Sequence, residues 1–117
     1  MNIEENLNFI IGKKLIQIRM NLYLIDLIFE NKIIITIANK VTYVEEETNK
    51  QQQWNSTSNQ KFFINKLLET SVIRAEVDKN KNLILELENK KKLIIESARD
   101  ENESYIIYNA DDFQVVY

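Results

Sequence analysis

A chain of 117 residues, 44% apolar and 28% charged, has the length and balance of one folded domain, not of a disordered segment. Fifteen Lys and Arg against eighteen Asp and Glu leave a net charge of −3, without the basic excess on which nucleic-acid binders depend. There is no His, Cys or Pro, and Gly12 is the only glycine; this excludes His-dependent triads, zinc and haem sites of the usual ligand types, disulfides and phosphate-cradling glycine loops.

The first residues carry Glu4 and Glu5 where a secretory signal needs a basic start and an apolar core. Leu7, Ile10 and Ile11 fall at helical spacing and the two acids favour a helix start, so a short helix is expected over 4–11. Ile16, Ile18 and Met20 then alternate with Gln17 and Arg19, the pattern of a strand with one buried face. Ile25, Leu27 and Phe29 form the inner face of a second strand. Asn31 suits the left-handed turn that follows, and Ile33, Ile35 and Ile37 return as a third strand. Val41, Tyr43 and Glu45 continue as a fourth. Leu24 and Ile28 make the opposite face apolar too, so this first meander is expected to be covered on both sides.

A polar connection, 48–58, comes next, broken by Trp54, whose ring is read either as an anchor to the core or as a partner contact. A second short helix is expected over 59–68, with Phe63 and Leu67 on one stripe and Ser58 or Asn59 as cap. Leu83, Leu85 and Leu87 then point inward with Glu86 and Glu88 outward, and Leu93 and Ile95 return across Asn89. Tyr105 to Tyr108 and Phe113 to Tyr117 supply the last strands. The densest basic run, Lys90-Lys91-Lys92, falls at a turn and reads as a solvated turn or an edge guard.

The two halves repeat. At an offset of 57, Ile10 to Met20 overlies Leu67 to Val77 in its apolar positions; one inserted residue then aligns Ile25 to Lys32 with Leu83 to Lys90. Glu-Asn-Lys recurs at both turns. The expected fold is therefore α+β and mainly antiparallel β, in a single domain 1–117. Two pseudo-repeated halves, 4–47 and 59–108, each a short helix plus a β-meander, share one core and give eight to nine strands. One meander alone could not bury its apolar face.

Three acidic groups invite a chemical reading: Glu45-Glu46-Glu47, then Asp100, Glu101 and Glu103, then Asp111-Asp112. Calcium loops need a glycine for their sharp turn, which Asp100 to Glu103 lacks. Acid–base catalysis, a solvated loop and an acidic protein-binding patch are the other readings. Ser56, Thr57 and Ser58 have no base to activate them. No catalytic residue, metal or cofactor is expected. No run approaches the ~18 apolar residues of a membrane span, and a cytoplasmic location is expected.

Ile10-Ile11-Gly12-Lys13-Lys14-Leu15, Leu67-Leu68-Glu69-Thr70-Ser71-Val72 and Glu103-Ser104-Tyr105 resemble the motifs of a small bacterial doubled β-meander family of unknown function. Proteins of this kind also resemble immunity proteins of polymorphic toxin and contact-dependent growth inhibition systems. The resemblance implies a cytoplasmic, non-catalytic protein that binds one cognate toxin domain, a nuclease by preference, and blocks its active site. The candidate toxin-binding residues are Glu45, Glu46, Glu47, Trp54, Asp100, Glu101, Glu103, Asp111 and Asp112, with carboxylates mimicking an anionic substrate. No direct contact with nucleic acid or membrane is expected. A protein-binding or regulatory module outside toxin systems and a self-associating homodimer are the alternatives.

Overall fold

The computed structural model describes residues 3–21, 23–55, 67–97, 105–109 and 112–116. Within them the chain forms ten antiparallel strands, most of them built on branched aliphatic residues at period two. These are β1 (Leu15–Met20), β2 (Ile25–Phe29), β3 (Ile33–Ile37), β4 (Lys40–Glu45), β5 (Lys50–Asn55), β6 (Val72–Val77), β7 (Leu83–Leu87), β8 (Lys91–Glu96), β9 (Tyr105–Asn109) and β10 (Asp112–Val116). They build two five-stranded sheets, ordered β1-β2-β3-β9-β10 and β5-β4-β8-β7-β6.

The strand order corrects one expectation. β4 does not extend the first meander; it leaves for the second sheet and pairs with β8, Val41 opposite Ile95 and Tyr43 opposite Leu93. β9 takes the vacated place beside β3, with Ile107 opposite Ile35. The link Ala38–Asn39 has the length of a tight hairpin, yet neither residue takes the positive φ of such a turn, and the chain crosses to the second sheet. A second correction is the tenth strand. β5 lies inside the expected polar connection, where Trp54 pairs with Val41 and Lys50 with Glu45, so the ladder with β4 overrides the polarity of Gln51, Gln52 and Gln53.

No α-helix occurs among the described residues, so the fold is mainly antiparallel β. The helix expected over 4–11 is a 3₁₀ helix, Ile3–Ile10. It buries Leu7 and Ile10, leaves Ile11 exposed and packs against β6. Most of the helix expected over 59–68 lies outside the described residues, although Leu67 is buried.

Leu27, Ile35 and Ile107 from the first sheet and Val41, Leu85 and Leu93 from the second are fully buried in one continuous cluster. Burying each such side chain contributes about 1.5–3 kcal/mol. The inner face of β1 differs from expectation. A bulge between Leu15 and Gln17 makes Ile16 the extra residue, so Leu15 is buried and Ile16 is 52% exposed. The same bulge lies between Val72 and Arg74, and leaves Ile73 58% exposed. The outer faces differ between the sheets: half-buried Ile28 and Ile34 on the first correspond to Glu86 and Lys92 on the second.

The recurring Glu-Asn-Lys has a structural cause. Asn31 and Asn89 take φ values of 63° and 64°, and Lys32 and Lys90 are left-handed as well. The Glu30 carboxylate accepts the Lys14 N–H at 2.8 Å while the Glu30 N–H donates to the Lys14 carbonyl at 3.0 Å. Glu88 treats Ser71 the same way, at 2.6 and 3.1 Å. Lys14 and Ser71 bridge each other, and the surrounding bonds come in matched pairs. Gly12 N donates to Val72 O and Glu69 N to Leu15 O, both at 2.7 Å; Leu15 N donates to Thr70 O and Val72 N to Lys13 O, both at 3.0 Å.

Candidate protein-contact site

β4 ends at the acidic turn, and the ladder places its carboxylates beside lysines. Glu45 stands directly opposite Lys50 on one side and Lys91 on the other. Its carboxylate accepts the Tyr43 hydroxyl at 3.1 Å and the Thr48 hydroxyl at 3.2 Å. Burial pushes the Tyr43 phenol up to about 12, helped by the hydrogen bond to Glu45 and by its negative charge. Glu46 donates its N–H to the Lys90 carbonyl, and its carboxylate lies 3.5 Å from Lys92 Nζ. Glu47 is exposed and has no ion pair among the described residues. The lysine run thus faces the acidic turn, and the described part of the rim is locally balanced instead of strongly negative.

Trp54 is only 3% exposed and fills the core beneath β5, so in the free protein its ring is turned away from any partner. Asp100, Glu101, Glu103 and Asp111 lie outside the described residues, and Asp112 begins β10. Of the sequence-derived candidates, the structure brings Glu45, Glu46 and Glu47 together on one turn.

Beside that turn is an open recess of about 160 Å³, lined by Glu46, Ile73, Glu86, Leu87, Lys90 and Lys91. Its floor is apolar, and its wall carries two carboxylates and two ammonium groups. Small-molecule sites usually occupy ~300–1,000 Å³, so the volume suits one inserted side chain. Sequence alternation missed Ile73, because a regular strand would turn it inward. The signal for the bulge was an apolar pair, Leu15-Ile16 and Val72-Ile73, where strict alternation admits one apolar residue.

Among the described residues no three carboxylates gather to hold a metal ion, and no helix is long and apolar enough to cross a membrane. Every buried side-chain nitrogen and oxygen described has a hydrogen-bond partner. Comparison with known proteins finds no matching family model, curated relative or solved structure.

Proposed function

We propose that this protein acts without catalysis, as a cytoplasmic immunity protein that binds a cognate bacterial toxin domain and blocks its active site. The observation that carries a protein-binding reading is the recess at the end of β4. Exposed Ile73 and buried Leu87 supply its apolar lining, and Glu46, Glu86, Lys90 and Lys91 its charged rim. An apolar centre within a polar rim is the anatomy of a protein interface, and a side-chain-sized recess is where a partner's anchor residue gains most. The toxin assignment rests on the family resemblance. Exposed Glu47 beside the recess would meet a basic nuclease surface favourably.

We also read the chain as a doubled unit in which each half lends its last two strands to the other's sheet. The matched bonds around Lys14 and Ser71, the paired bulges and the reciprocal strand orders support that reading. Such a scaffold is rigid and offers two versions of each surface, of which one can specialise.

Co-expression tests the function. Cells making the toxin-domain product of the adjacent reading frame should survive when this protein is present, and the two should purify as a complex. Ile73→Asp should abolish rescue while Ile16→Asp, at the matching bulge outside the recess, preserves it. Neither rescue nor complex formation by the unaltered protein would end the toxin reading. Equal behaviour of the two Asp variants would remove the recess from it.

A further inference from the structure

Each five-stranded sheet has two edges, formed by β1 and β10 in the first and by β5 and β6 in the second. An edge strand is a template for further pairing unless something blunts it, and a bulge is a common device. Register shifts interrupt β1 between Leu15 and Gln17, β10 between Phe113 and Val115, and β6 between Val72 and Arg74. β5 has none: Lys50 to Asn55 pair with β4 in unbroken register. It also lacks Pro, and its single charge, Lys50, stands opposite Glu45. Gln51, Gln52 and Gln53 are all exposed although they point to alternate faces, so β5 is open on both faces. The direction of its outer bonds follows from β4. The Glu46 N–H donates to the Lys90 carbonyl at 3.0 Å, in register with the Glu45–Lys91 pair. Bonded and non-bonded pairs alternate along an antiparallel ladder. Glu45, Tyr43 and Val41 therefore turn their main-chain groups to β5, where they meet Lys50, Gln52 and Trp54. Gln51 and Gln53 aim theirs away from β4, to a side where no strand pairs with β5 among the described residues.

We infer that β5 is a self-association edge, which pairs antiparallel with β5 of a second copy about a two-fold axis at Gln52. In that register Gln51 of each chain bonds Gln53 of the other, giving about four main-chain hydrogen bonds. Gln52 faces its own counterpart, and Lys50 meets Trp54 instead of a like charge. The occupant is a second copy for two reasons. An amide side chain is donor and acceptor at once, so a glutamine row complements itself. The edge of a second copy that carries no bulge is again β5. Each copy uses up its open edge in the contact, so association stops at a closed pair. One strand edge is a small interface, below ~1,200 Å², so the pairing is reversible and depends on concentration. None of the residues lining the recess belongs to β5, and the inference stands apart from the proposed toxin contact.

Sedimentation equilibrium of the full chain, from ~10 to ~1,000 µM, should show the average mass rising from one chain towards two. Gln53→Pro removes an outward N–H and spares the ladder to β4, whereas Gln52→Lys sets two like charges face to face across the axis. Each should weaken dimerisation at least ~10-fold while circular dichroism and thermal melting at low concentration stay unchanged. Gln52→Lys, at an exposed position, keeps the test decisive should the Pro variant unfold. The chain has no cysteine, so Gln52→Cys reports the axis directly. Opposed non-bonded residues lie ~4.5 Å apart at Cα, within disulfide reach. Mild oxidation should link Gln52→Cys at least ~10-fold more than the exposed control Asn80→Cys. The inference is overturned by a single-chain mass at every concentration, by a dimer that Gln52→Lys leaves intact, or by equal disulfide yield at positions 52 and 80.

Discussion

Tyr43 couples the core to the acidic turn, and its titration should be visible in the stability of the whole chain. The residue is 3% exposed and donates to Glu45 at 3.1 Å. Its folded pKa of about 12 stands above the ordinary value of 10.0. Neutral phenol is thus favoured in the folded state; the contribution is complete below pH ~10 and is lost as pH rises from ~10 towards ~12. At about 1.4 kcal/mol per pH unit, the loss is roughly 1 kcal/mol at pH 11 and roughly 2 kcal/mol at pH 12. Tyr43→Phe removes the titration but also the hydrogen bond, which costs about 1 kcal/mol at pH 8. The two stability curves should therefore cross between pH 10 and 12, the Phe variant being weaker below and stronger above. Urea melts at pH 8, 10, 11 and 12 read this directly, and comparing the two proteins cancels lysine deprotonation. Curves that run parallel across this range would refute the argument, and with it the account of Glu45 as the partner that holds the phenol neutral.

Other expectations follow from the turns and the core. Glu30→Ala and Glu88→Ala should each cost about 1 kcal/mol in denaturant melts, the full value of a charged hydrogen bond being reduced by exposure. Their double variant should depart from additivity by about 0.5 kcal/mol or more, because both clamps act on the Lys14–Ser71 bridge. Gly12 and Glu69 take φ values of 84° and 69°. Glu69→Gly should therefore stabilise by up to ~1 kcal/mol, and Gly12→Ala should destabilise by a similar amount, both measured by thermal shift. Leu85→Ala, at a fully buried central position, should cost about 2–5 kcal/mol.

Much of the sheet structure was legible because period-two burial is a local signal. Leu83, Leu85 and Leu87 are buried and Glu88 is exposed, as their alternation requires. The two Asn-centred turns were legible too, since Asn tolerates the left-handed region at little cost. Strand exchange was not legible. Whether Ala38–Asn39 makes a hairpin or a crossover depends on which sheet gains Val41 and Tyr43, a long-range choice with no local mark. Ile16 and Met20 misled for a related reason: the apolar pair Leu15-Ile16 marks a bulge but not which of its two residues faces inward, and hydrophobicity does not mark the end of a strand where Met20 meets water. β5 stayed hidden because Gln51, Gln52 and Gln53 look like a loop until Trp54 anchors them. At the candidate site, the acidic turn was legible as a cluster, whereas its neutralisation by Lys91 and Lys92 depends on the pairing of β4 with β8.

The return of β9 to the first sheet has a consequence during synthesis. β4 through β8 are consecutive and can close the second sheet as the chain emerges. β3, with its run Ile33-Ile34-Ile35-Thr36-Ile37, must wait for Tyr105, about 70 residues later. At ~5–20 residues per second, that open edge faces the cell for ~3–14 s. A flat aliphatic segment left unpaired for so long is a template for aggregation. Its translation speed, and any chaperone that shields the edge meanwhile, therefore bear on yield more than the final stability does.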